Sequence, residues 1–248
     1  MLDETDPLIR FKLSLLQHGL EVRREAETRR PLDAIVFGDM YAVEGGYAAK
    51  CAEYGCEAVL LIDAYETPGW LAFRQAHPTV DFMKGDFSDP LFMLSIQRRF
   101  SVGVLFDVLL HQPPLVSTLH LVAEKVSRTL CIVQPMLREQ ELPNSLVYLP
   151  GNAAAADLQP LGAAHGRYKM FDARAVNRTH WIWGMTRSFL RSALAAEGFE
   201  VKHTQELDLF PNKAWYYLGC VAERFEENPL HWSKMGPSLG LRTEPFSF

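Results

Sequence analysis

Between residues 33 and 134 the chain alternates short apolar runs with helix-like segments. The runs span 34–38, 58–63, 80–84, 102–109 and 129–134, and the segments between them span 46–54, 68–76, 90–99 and 113–126. Strands that are apolar on successive residues must be covered on both faces, so the pattern predicts a parallel sheet between two helical layers. Right-handed crossovers then bring every strand-to-helix turn to one edge, the carboxyl edge. The first unit is the most informative. Asp33-Ala34-Ile35-Val36-Phe37 leads into a turn holding Gly38, Asp39, Gly45 and Gly46, a helix follows to Gly55, and Val59-Leu60-Leu61-Ile62 ends in Asp63. This β-α-β layout suits a nucleotide-like ligand.

Composition narrows the class. The chain has 248 residues, 48% hydrophobic and 22% charged, enough for one α/β domain with a sizeable core. Its formal net charge of −5 argues against nucleic acid as the main partner, because phosphate binding needs a basic face. Cys51, Cys56, Cys131 and Cys220 do not form two pairs at metal-ligand spacing, so they read as reduced, buried thiols and no metal is expected. The acidic N-terminus lacks the order of a signal peptide, and no apolar run is long enough for a bilayer. A cytoplasmic protein with no membrane partner is the expectation.

Residues 1–32 read as an N-terminal helical segment: Asp6 caps, Pro7 opens the first turn, and Leu8, Phe11, Leu15 and Leu16 recur at helical spacing. Pro135 ends the strand-helix alternation in this reading. Residues 135–185 hold few element signals and are expected to form an inserted substrate cover. Residues 186–197 return to helix, stopped by Gly198. Two strands, 200–206 and 214–224, flank Pro211-Asn212 and suit an antiparallel pair. The main domain is thus 33–224, followed by an irregular tail, 225–248.

Four turns bring chemistry to the carboxyl edge. Glycines 38, 45 and 46 let backbone N–H groups approach a ligand. Asp63, with Ala64 beside it, ends the second strand, where an acid accepts both hydroxyl protons of a ribose. Asp86 follows the third strand and suits an adenine amino group, and Phe87 offers a ring to stack on or to pack into the core. Asp107 and His111 lie at the end of the fourth.

These positions resemble the cofactor site of the class I S-adenosylmethionine (SAM) methyltransferases. Two further segments are similar to the branch of that family that includes wobble-uridine tRNA methyltransferases and many small-molecule methyltransferases. One is Phe106-Asp107-Val108-Leu109-Leu110-His111-Gln112-Pro113. The other runs from Trp181-Ile182-Trp183-Gly184 to Leu190 and on to Ala196-Glu197-Gly198-Phe199, similar to the branch's helix before strand six. The resemblance implies a doubly wound, seven-stranded, mostly parallel sheet with an antiparallel last strand, and SAM as cofactor. It implies cofactor contacts from Gly38, Asp39, Gly45, Gly46, Asp63, Ala64, Asp86 and Phe87; Asp107 is a further candidate, within strand four, where the family often carries an acid for structural reasons. The first turn departs from the family: Val36 stands where an acid is usual, and five residues separate Asp39 from Gly45. The amino-acid end of SAM is then held differently, with Asp39 or Glu44 as candidates.

His111 is the candidate general base, weighed evenly against a structural histidine. Between 165 and 187 lie Arg167, Lys169, Arg174, Arg178 and Arg187 against one acid, Asp172, with Tyr168, Phe171, Trp181 and Trp183 interleaved. Most of these suit a solvated loop with aromatic anchors. The sharper reading is an acidic acceptor held by Tyr168, Arg178, Trp181 and Arg187, since arginine grips carboxylate or phosphate at two points. The expected function is SAM-dependent O- or N-methylation of a small molecule. The alternatives are a tRNA methyltransferase, a methyltransferase-fold binding protein without transfer activity, and a nicotinamide oxidoreductase, whose glycine spacing fits less well.

Overall fold

The structure, a computed structural model, describes residues 2–26, 31–112, 114–138, 143–149, 182–209 and 215–225. Helix α1 (Pro7–Ala26) precedes β1 (Asp33–Phe37), α2 (Met40–Val43), α3 (Gly46–Glu53), β2 (Ala58–Asp63), α4 (Trp70–Ala76), β3 (Val80–Lys84) and α5 (Pro90–Ser95). Then come β4 (Phe100–Phe106), a 3-10 turn (Leu109–His111), α6 (Leu115–Lys125), β5 (Val126–Leu137), β6 (Leu146–Leu149), β7 (Ile182–Met185), α7 (Arg187–Ala196), β8 (Phe199–Leu207) and β9 (Trp215–Arg224).

Seven strands form one sheet in the order β3-β2-β1-β4-β5-β9-β8, and β6 and β7 form a separate antiparallel ribbon. Strands β1 to β5 pair in parallel, whereas β9 runs antiparallel to both β5 and β8. This is the expected doubly wound sheet. Alternation along each strand divides the core. Ala34 and Val36 of β1 pack with α1, α2, α3 and α4, while Ile35 and Phe37 pack with α5, α6 and α7. Residues such as Leu15, Leu16, Ile132 and Val133 are fully buried, and a side chain of this size gains roughly 1.5–3 kcal/mol on leaving water.

Three expectations need correction. Pro135 does not end strand five: β5 runs through it to Leu137, with Pro135 opposite Tyr217 of β9. The last β4 partner is Phe106, opposite Val133, so Pro135 lies where β5 has outrun that neighbour and a missing N–H costs least. Strand four stops at Phe106 rather than continuing to 109, because Asp107 turns left-handed (φ 59) and Leu109–His111 wind into the 3-10 turn. The segment similar to a helix from Trp181 is a strand at Ile182–Met185. The helix begins only at Arg187, after Thr186, whose hydroxyl caps it by accepting from Phe189 N–H.

Candidate cofactor site

The tip of β1 sets the geometry. Gly38 turns left-handed (φ 72) and donates its N–H to Ile62 O of β2 at 2.8 Å. A Cβ there would stand 2.3 Å from Val108 Cγ1, so the β1 and β4 tips close on each other only through a glycine. The five residues after Asp39 are not open loop. Met40–Val43 make one helical turn, Glu44 and Gly45 turn left-handed, and Gly45 N–H returns to Asp39 O at 3.1 Å before α3 begins at Gly46. Phe73 of α4 packs over Gly45, and Leu2 packs over Gly46.

Asp39 faces inward. It is 3% exposed, and its Oδ2 accepts from Ala48 N–H at 2.8 Å. Burial pushes its carboxyl up to about 8; the Ala48 N–H opposes that shift, the charge of Asp63 adds to it, and the Tyr47 N–H and Lys12 charge also oppose it. Its Oδ1 is buried with no partner among the described residues. Asp107, at the tip of β4, is equally enclosed. Lys12 Nζ of α1 donates to its Oδ2 at 2.6 Å and lies 5.4 Å from the centre of the Tyr47 ring. Asp107 Oδ1, like Asp39 Oδ1, is buried without a partner among the described residues. A buried polar atom left so signals strain or an absent ligand or water.

Asp63 stands at the tip of β2 as expected, and it is occupied. Its Oδ2 accepts from Met40 N–H at 2.8 Å and its Oδ1 from Tyr65 N–H at 3.0 Å, and the residue is 4% exposed. The carboxylate thus ties the first turn to the second. Ala64 beside it is exposed. Asp86 is exposed on the turn after β3, with Oδ1 accepting from Ser88 N–H at 2.8 Å. Phe87 is a core residue: it is 5% exposed and its ring lies 5.3 Å from that of Phe37. It belongs to the buried cluster that also holds Ile35, Phe37 and Val108. His111 ends the 3-10 turn after β4, half-buried, with both ring nitrogens shielded from solvent. The β6–β7 ribbon is tied to this turn, since Trp183 Nε1–H donates to Gln112 O at 2.8 Å.

Arg187 does not join these residues. Its guanidinium donates to Thr204 Oγ1 at 3.0 Å and Glu206 Oε1 at 3.3 Å, both on β8. Strand β8 is four places from β1, about 19 Å at the usual strand spacing. Sequence spacing gave no sign of that distance, because the sheet order had to be known. Tyr168, Arg178 and Trp181 lie outside the described residues. Lys12 is the site residue that sequence reasoning missed. Its signal is a charge on a buried stripe, four residues from Leu8 and four from Leu16.

No protein-family model matches the chain, and no curated protein matches its sequence significantly. Solved structures do resemble it. One is the 1,6-didemethyltoxoflavin-N1-methyltransferase of Burkholderia thailandensis with 1,6-didemethyltoxoflavin and S-adenosylhomocysteine (SAH) bound. It has TM-score 0.55 and 16% identity, over 88% of this chain and 81% of that one. Another is the magnesium protoporphyrin IX methyltransferase of Synechocystis with SAH bound, at TM-score 0.53 and 14% identity over 91% and 88%. The fold is that of the class I methyltransferases. A third neighbour, the [4+2]-cyclase SpnF, has TM-score 0.55 and 11% identity over 84% and 81%, so the fold alone does not fix the reaction.

Proposed function

We propose that the chain is a SAM-dependent methyltransferase acting on a small molecule. One observation carries this reading: the β1 and β4 tips hold two buried carboxyl oxygens, on Asp39 and Asp107, that lack partners among the described residues, beside a buried lysine. These residues fit the amino-acid end of SAM. Lys12 and the protonated carboxyl of Asp39 are donors suited to a carboxylate, and Asp107 Oδ1 is an acceptor suited to an ammonium. Asp63 is the candidate for the ribose hydroxyls, since each of its oxygens retains a lone pair beyond its backbone bond. Asp86 is the candidate for the adenine amino group. The backbone at Gly38, Gly45 and Gly46 borders the same turn.

When bound, the cofactor supplies a methyl group made electrophilic by a sulfonium. The chain's task is then to hold an acceptor in line and to exclude water, so proximity is the main catalytic term. The β6–β7 ribbon, fastened to Gln112, stands over the β4 turn and suits the second role. His111, on that turn, is the candidate to take the proton of a hydroxyl or ammonium acceptor, a role that needs the turn to open, since both ring nitrogens are shielded. A carboxylate acceptor needs no such base. Tyr168, Arg178 and Trp181 are the candidates for holding an acidic acceptor. The net charge of −5 weighs against tRNA in that role.

A second reading is favoured by Asp63 and Met40. Both Asp63 oxygens are committed to backbone N–H groups, and Met40 is fully buried in the turn where a ligand approaches. A methyltransferase-fold protein without transfer activity would tolerate both. Calorimetric titration with SAM, SAH and NAD tests the cofactor, and methyl transfer from labelled SAM to candidate small-molecule acceptors tests the second reading. Binding of SAM and SAH but not NAD supports the proposal. Binding of NAD alone, or of none of the three, removes it.

A further inference from the structure

A second concave site lies at the far end of the sheet. A cavity of about 200 Å³ opens between α7 and the edge strand β8, lined by Arg187, Arg191, Lys202 and Thr204, with Leu218 and Cys220 of β9 at its floor. Arg187 and Arg191 are four residues apart and share one face of α7. A register shift between Val201 and His203 places Lys202 on a bulge of β8, a device that re-aims a side chain. Three cations and a hydroxyl thus edge one small cavity.

Two of the three cations are partly answered. Arg187 reaches Glu206 and Thr204, and Lys202 pairs with Glu200. Arg191 has no hydrogen bond or ion pair with the described residues. The floor has a different character. Leu218 and Cys220 are buried, as is Leu190 above them. Burial pushes the Cys220 thiol up to about 12, so it stays neutral and takes no part as a nucleophile. A cationic rim over a neutral apolar floor selects a ligand with an anionic head and a short apolar body.

We propose that the α7–β8 crevice binds a small organic anion, with its phosphate or carboxylate head on Arg187, Arg191 and Lys202 and its apolar body on Leu190, Leu218 and Cys220. The site is lateral to the β1–β4 tips and about four strand spacings from them. It does not depend on SAM binding. Phenyl phosphate is the probe, titrated calorimetrically at fixed ionic strength against inorganic phosphate. The expected result is saturable binding of phenyl phosphate, at least about tenfold tighter than inorganic phosphate. Arg191→Met combined with Lys202→Met weakens it at least about tenfold while leaving SAM affinity unchanged. Both residues are at the surface, and an unchanged melting temperature checks that the variant folds. Equal binding of the two probes overturns the proposal, as does equal binding by wild type and double variant, or no saturable binding at all.

Discussion

Two charged clusters, one at the middle of the sheet and one at its β8 edge, differ mainly in burial. Lys12, Asp39 and Asp107 are 6%, 3% and 4% exposed at the β1–β4 tips. Arg187 and Glu206 at the β8 end have nearly half of their side-chain surface in solvent. The same kinds of group therefore obey different rules. In the buried cluster each charge has left water, and removing one partner strands the other. In the exposed cluster water and salt replace whatever a partner supplied. A buried polar cluster that is also incompletely satisfied is where a ligand gains most. An exposed one recruits ligands mainly through long-range attraction.

The contrast is broken most severely at Lys12. Lys12→Met leaves Asp107 buried and unpaired, and should destabilise the fold by about 3–5 kcal/mol in urea unfolding. The double variant Lys12→Met with Asp107→Asn should cost clearly less than the sum of the single changes. Additive costs would place both groups in solvent instead.

Asp39 comes next. Its folded carboxyl is raised from 3.8 to about 8, so its contribution is fully present below the unfolded value and is lost as pH rises from about 4 through about 8. Asp39→Asn should flatten that decline. Relative to its difference from the wild type at pH 4, the variant should gain several kcal/mol of stability by pH 9, about 1.4 kcal/mol per pH unit of that window at most. Parallel stability curves for the two proteins across that window would mean that Asp39 is ionised and solvated.

Asp63 sharpens the comparison by linking burial to binding. Asp63→Ala should weaken SAM binding by about 1–3 kcal/mol, the scale for lost hydrogen bonds to a charged acceptor. Unchanged affinity in a calorimetric titration would confine Asp63 to joining Met40 and Tyr65. The smallest effect belongs to the exposed cluster. Arg187→Met should cost no more than about 1 kcal/mol, and the cost should shrink with added salt. A larger, salt-independent loss would show that Arg187 is part of the core's support.

The two clusters also differ in how far they were legible in the sequence. The strands were readable because their residues are apolar in succession, and Asp63 was readable because a strand and an acid meet at one place. Asp39 lay in a turn already singled out, but its inward direction depends on Ala48 and Tyr47. Lys12 and Asp107 are 95 residues apart, and nothing local in either segment names the other. Phe87 suits either a ligand or the core by sequence, and only the fold shows its ring beside Phe37 in the cluster that holds Val108. Pro135 misled because its cost depends on a neighbouring strand, and β4 has already ended there. The partners of Arg187, Thr204 and Glu206, lie on β8, and only the sheet order places that strand four from β1.

A crystal structure of the protein with SAH tests the central claim most directly. The expected density places the ribose at Asp63, the adenine near Asp86, and the amino-acid end against Asp39, Asp107 and Lys12. Density for SAH elsewhere, or an unchanged buried cluster with no density at saturating SAH, would contradict it.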